Sequence, residues 1–100
     1  MNKETVLIIG YGSIGKKHAK ILKNNKKIDK IFILTNQKIK DYYRVRSYSE
    51  IKKINPTYFI ISSRTSNHYK DLMFIIRNFK NKKILVEKNL FAKFKKIKNL

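Results

Sequence analysis

One hundred residues, 42% of them apolar, carry 25 Lys and Arg against six Asp and Glu, and there is no cysteine. This length fits a single domain, residues 1–100, with a core of its own. The apolar content excludes a disordered tail, and the lack of thiols excludes disulfides and thiolate chemistry. The longest apolar runs, such as Tyr58-Phe59-Ile60-Ile61, are too short to cross a bilayer. No signal peptide is read behind Met1, so the expected location is the cytoplasm.

The formal charge of +19 invites a polyanion as partner. Composition offers a plainer source. Lys (21), Ile (16) and Asn (10) supply nearly half of the chain, and their codons can be almost pure A and T. Lys outnumbers Arg 21 to 4, whereas bidentate recognition of phosphates and bases favours Arg. The lysines are spread along the chain without an aromatic-interleaved motif. Nucleic acid is therefore disfavoured as the main partner.

In chain order, Val6-Leu7-Ile8-Ile9 reads as a parallel strand buried on both faces, stopping at Gly10. Ile14, His18, Ile21 and Leu22 then fall on one face of a helix, which Asn24-Asn25 ends. Ile31 to Leu34 is a second buried strand. Thr35 to Lys40 turns the chain with room for one helical turn. Tyr43 to Arg46 reads as a short edge strand. Ser49 is positioned to cap a brief helix, Glu50 to Ile54, closed by Asn55-Pro56. Thr57 to Ser62 is another buried strand. His68, Leu72, Ile75, Ile76 and Phe79 share a helix face, with Ser66 or Asn67 as cap and Asp71 near the positive end. Lys83 to Glu87 is a last strand, and Leu90, Phe94 and Ile97 begin a further helical stripe. Such alternation predicts an α/β fold, a Rossmann-type doubly wound parallel sheet of about five strands.

Gly10-Tyr11-Gly12-Ser13-Ile14-Gly15 matches G-x-G-x-x-G between a buried strand and an amphipathic helix, and these are the chain's only glycines. Gly10 suits the tight turn, Gly12 the approach of a pyrophosphate, and Gly15 close packing of helix on strand. The free amides around Ser13 and Ile14 would meet its negative charge. A glycine-rich turn without a ligand is the plain alternative. After the second strand, where an acid often accepts the ribose hydroxyls, the chain reads Leu34-Thr35-Asn36-Gln37-Lys38. Thr35 and Asn36 can hydrogen-bond a ribose, and Lys38 can meet a 2′-phosphate. The expected cofactor is NAD or NADP, without strong preference.

Three blocks carry a family resemblance. Gly10 to His18, with Leu22 following, resembles the opening of the Gfo/Idh/MocA oxidoreductases, which include glucose–fructose oxidoreductase and inositol dehydrogenase. Ile60-Ile61-Ser62-Ser63-Arg64-Thr65-Ser66-Asn67-His68 is similar to the family's strand, small-polar loop and histidine-bearing helix. Leu85-Val86-Glu87-Lys88 resembles its E-K-P signature. Two family prolines are replaced, by Arg64 and Asn89.

The resemblance implies cofactor contacts from Gly10, Gly12, Ser13, Ile14 and Gly15. It puts Thr35 and Asn36 beside the adenosine ribose, and Ser62, Ser63 and Thr65 on the nicotinamide side. Glu87 and Lys88 fall at the end of the last strand, with Lys88 as the candidate substrate contact. Read alone, Lys88 is one more solvated lysine, and His18 and His68 are structural histidines. Tyr42, Tyr43 and Tyr48 can stack on bases, though strand packing explains them as well. Asp71 lies one turn past His68 without a third ligand, so no metal is expected.

Measured against that family, the sixth Rossmann strand and the C-terminal α+β substrate domain are missing. The expectation is a truncated or remnant nucleotide-binding domain for sugar- or cyclitol-type hydroxyls, without independent turnover and prone to self-association. A second chain or domain supplying the substrate site, or a basic polyanion-binding module on the same scaffold, are the alternatives.

Overall fold

A computed structural model describes residues 4–63 and 65–86. Its five strands form one sheet in the order β3-β2-β1-β4-β5, and every neighbouring pair is parallel. The strands are β1 (Glu4–Ile9), β2 (Ile28–Leu34), β3 (Tyr43–Val45), β4 (Tyr58–Ile61) and β5 (Lys83–Val86). The helices are α1 (Ser13–Lys23), α2 (Tyr48–Ile54) and α3 (Thr65–Asn78). The chain winds outward from β1 to β3, then returns to begin β4 on the other side of β1. That reversal opens a crevice at the carboxyl ends of β1 and β4.

The strand period divides the continuous apolar runs between two cores. Val6 and Ile8 pack with Ile31, Ile33, Ile60 and Ala19 of α1 on one face. Leu7 and Ile9 pack with Phe59, Ile61, Ile51 of α2 and Ile75 of α3 on the other. β1 is therefore covered on both sides, as its uninterrupted run demands.

Helix ends follow local chemistry. Lys20 and Lys23 lie in the last turn of α1, where positive charge suits the helix dipole. Asn24 caps it, its backbone N–H donating to the Ile21 carbonyl while the Asn25 N–H donates to that of Leu22. α2 begins at Tyr48 after Ser47, two residues earlier than the sequence suggests. The Glu50 carboxylate reaches back to the Arg46 N–H at 3.0 Å, which favours the earlier start. Asn55 takes a left-handed conformation at φ 54° and closes α2 ahead of buried Pro56.

Several expectations change. Residues 35–42 contain bends and no helical turn. α3 starts at Thr65, so neither Ser66 nor Asn67 precedes it as a cap. Ile21 and Ile76, both expected on buried stripes, are 60% and 54% exposed. Gly15 and Ala19 are the buried residues of α1, because the helix lies so close to the sheet that small residues face it. Asp71 does not serve the helix end; it is 3% exposed, halfway along α3. Glu87, Lys88, Leu90, Phe94 and Ile97 lie outside the described residues.

Candidate functional site

The crevice is built on the turn between β1 and α1. Gly10 sits at φ +99°, and a Cβ there would stand 2.8 Å from the backbone N and Cα of Ser63. A Cβ on Gly15 would stand 2.3 Å from the Gly10 carbonyl oxygen. Both glycines are required by the protein's own packing. Ser62 supports the same turn, its hydroxyl lying 3.2 Å and 3.1 Å from the Ile9 and Gly10 carbonyls to which it donates. That proton is engaged inside the turn, so the Ser62 side chain supports the crevice more directly than it lines it.

Gly12 differs. Its φ of −82° and ψ of −161° suit any residue, and nothing lies within 4 Å of where its Cβ would be. It precedes α1, whose first-turn amides, from Ser13, Ile14 and Gly15, lack partners within the helix. A Cβ there would meet open space beside the helix start, and no neighbour among the described residues calls for its absence. The fit to a pyrophosphate rests on that vacant approach together with the donors behind it.

On the β4 side, the Ser63 hydroxyl donates to Asp71 Oδ2 at 2.5 Å, and the Tyr48 hydroxyl donates to Asp71 Oδ1. His68 Nε2 lies 2.7 Å from the Ser63 carbonyl oxygen; because a carbonyl only accepts, that nitrogen carries the hydrogen. Asp71 thus ties α2 and the β4 loop to α3. Burial, and then the hydrogen bond and charge of Asp71, raise the Tyr48 pKa above the ordinary tyrosine range. Tyr48 also stacks on Phe74, with ring centroids 4.3 Å apart, and Lys70 stands 5.6 Å from its ring centre. Tyr42 and Tyr43 take no part in this: Tyr43 packs on Phe32, and Tyr42 lies over the α1 face.

Beyond the glycine turn, an open cleft of about 480 Å³ runs along the ends of β2 and β3. Thr35 and Asn36 line it, as the sequence suggests. So do Arg46, Ser47 and Tyr48 before and at the start of α2, and Asn67 and Lys70 of α3. Sequence patterns assigned Arg46, Ser47, Asn67 and Lys70 no part in a binding site. The short β3 edge strand was the one available signal, since its carboxyl end must open beside that of β2. Lys38 is not among the lining residues. Gln37 ties its loop to the glycine turn, its side-chain amide donating to the Tyr11 carbonyl at 2.9 Å. Among the described residues no group of three or more His, Asp or Glu could hold a metal ion. None of their helices is long and apolar enough to cross a membrane.

A parallel sheet in this order, with a glycine turn at its switch point, defines a dinucleotide-binding Rossmann domain. The family model described as oxidoreductase family, NAD-binding Rossmann fold (GFO_IDH_MocA) matches residues 5–100, and the chain belongs to that family. No curated protein matches it. Among solved structures it is similar to yvaA from Bacillus subtilis, described as an oxidoreductase, at 22% identity and a TM-score of 0.74, over 98% of this chain and 31% of that one. It is also similar to RSP, a Rex-family repressor, at 15% identity and a TM-score of 0.64, over 97% of this chain and 58% of that one. The chain thus spans about a third and somewhat over half of these two proteins. Both likenesses show the fold.

Proposed function

We propose that this chain holds the NAD(H) or NADP(H) of an oxidoreductase acting on sugar- or cyclitol-type hydroxyls, and that the substrate surface is contributed by another domain or chain. The bound nicotinamide would supply the hydride acceptor or donor. This chain's residues would bind and orient it. Gly10, Gly12 and Gly15, with the amides of Ser13 and Ile14, take the pyrophosphate. Thr35 and Asn36 lie by the adenosine ribose. Ser63 and Thr65 flank the nicotinamide, with Ser62 bracing the turn beneath it. Glu87 and Lys88, outside the described residues, complete the assignment, and Lys88 is the candidate to contact substrate. A lysine there can donate to an alkoxide as charge develops on it.

The observation that carries this reading is Gly12. It is the one glycine of the turn whose missing Cβ serves no contact among the described residues. The test is thermal unfolding with and without cofactor, for wild type and Gly12→Val. Cofactor at about 100 times its dissociation constant should stabilise the wild type by roughly 2.7 kcal/mol, provided it binds only the native state. The variant should fold and lose most of that gain. Equal shifts in the two proteins would overturn the reading.

A further inference from the structure

Among the described residues, the cleft beside Thr35 is lined by two cations and no carboxylate. We infer that Arg46 and Lys70 make this cleft a receptor for a ribose 2′-phosphate, so that the chain prefers NADP(H) to NAD(H). The inference rests on the cofactor reading above and adds a specificity to it.

Two independent features combine. The first is what the end of β2 lacks. A carboxylate there would accept hydrogen bonds from the ribose hydroxyls of NAD and repel a 2′-phosphate. Here the positions are Thr35 and Asn36, both neutral. Part of the Thr35 hydroxyl's capacity is already used in its own loop, where it accepts the Gln37 N–H at 3.1 Å. The second feature is the charge on the opposing wall. Arg46 follows β3 and Lys70 lies on α3, so two separate elements bring cations to one concavity.

Nearby acids leave these cations uncompensated. The Glu50 carboxylate is bound to the Arg46 backbone N–H and does not line the cleft. The Asp71 carboxylate is turned inward to Tyr48 and Ser63. Among the described residues neither Arg46 nor Lys70 is in an ion pair. The Lys70 ammonium stands over the Tyr48 ring at the cleft wall. An Arg fork and a Lys ammonium facing one hollow suit a phosphate monoester, since guanidinium binds its oxygens in pairs and ammonium adds a point charge. The sequence alone pointed to Lys38, which adjoins Thr35 in the chain but does not line this cleft.

The experiment titrates NADPH and NADH against the full chain by cofactor fluorescence at fixed ionic strength. The proteins are wild type, Arg46→Ala/Lys70→Ala, and Lys52→Ala/Lys53→Ala. The last removes the same charge from exposed positions of α2 away from the cleft. Wild type should bind NADPH about tenfold tighter than NADH, in line with charge-assisted phosphate contacts. The Arg46/Lys70 variant should bring the two affinities together, mainly by weakening NADPH, and the Lys52/Lys53 variant should keep the ratio. Circular dichroism checks that each variant folds. Equal wild-type affinities would overturn the inference and leave the cofactor reading standing. So would equal losses of the ratio in both variants, which would assign the preference to overall charge. Failure of either cofactor to bind the folded wild type would overturn both.

Discussion

Gly10 and Gly12 lie two residues apart in one motif, yet they answer to different constraints. Gly10 and Gly15 are held by the protein itself, through a positive φ and through contacts that a methyl group would violate. Gly15→Ala should therefore destabilise the fold by about 1–3 kcal/mol or more, as overpacking does. Gly12→Ala should be neutral or slightly stabilising, because its backbone angles suit alanine. Urea unfolding of both variants checks this, and comparable losses would show that Gly12 also has a structural task. Tyr48 offers a second test at this scale. Tyr48→Phe leaves the buried Asp71 with one partner in place of two and should cost about 1–3 kcal/mol at neutral pH. The folded Tyr48 pKa lies above its unfolded value near 10. Its contribution is thus complete below pH ~10 and is lost as pH rises toward the folded value, because the unfolded phenol ionises first. The gap between wild type and Tyr48→Phe should narrow above pH ~10. The Tyr11 and Tyr42 pKa values are also raised, chiefly by burial, but both residues are common to the two proteins. A gap that stays constant to pH 11 would show that the bond does not hold the phenol's proton.

At the scale of elements, β5 is the telling case. Among the described residues it pairs only with β4, and its Leu85 is 36% exposed. An apolar strand with one open side can pair with another chain. β3, at the other edge, is three residues long and carries Arg44, features that blunt an edge. Self-association through β5 is therefore expected, and Leu85→Lys should reduce it. Light scattering at several concentrations decides the matter. A wild-type monomer throughout would show that the β5 edge does not pair. The Lys83–Glu4 contact at 3.9 Å also joins β5 to β1, but both side chains are solvated enough for it to contribute little.

Over the whole molecule, a cofactor crevice is present and a wall to enclose a substrate is not found among the described residues. Hydride transfer needs the substrate hydroxyl held against the nicotinamide, and loss of such positioning forfeits about 7–11 kcal/mol of barrier lowering in well-oriented systems. This chain alone should oxidise no polyol or sugar at a measurable rate, even with cofactor bound. Absorbance of reduced cofactor during incubation with a panel of such substrates tests it, and steady turnover would show that 100 residues complete the site. The charge of +19 acts on the same scale. Its lysines include Lys16, Lys20 and Lys23 beside Tyr11 and Tyr42 in a second, open groove along α1. Any nucleic-acid binding there should collapse steeply with added salt, whereas contacts to a pyrophosphate through backbone amides should depend on salt far less.

The five strands, their alternation with helices and the glycine turn are legible in the sequence, because these rest on local signals. Unbroken β-branched runs mark strands covered on both faces, Gly10 and Gly12 stand between one such run and a helix, and Gly15 falls in that helix's first turn. Tertiary structure alone decided which of those glycines serves the fold and which is open to a ligand, since the answer lies in the distances from Gly10 to Ser63 and from Gly15 to Gly10. It also moved Asp71 from a helix-end charge to a buried link between Tyr48 and Ser63. Likewise it brought Arg46 and Lys70 to the cleft beside Thr35, which Lys38 does not line. Parallel strands bring their carboxyl ends to one edge of the sheet, so residues far apart in the chain meet there. No local pattern records those meetings, because they are set by strand order and by the close packing of helices on the sheet.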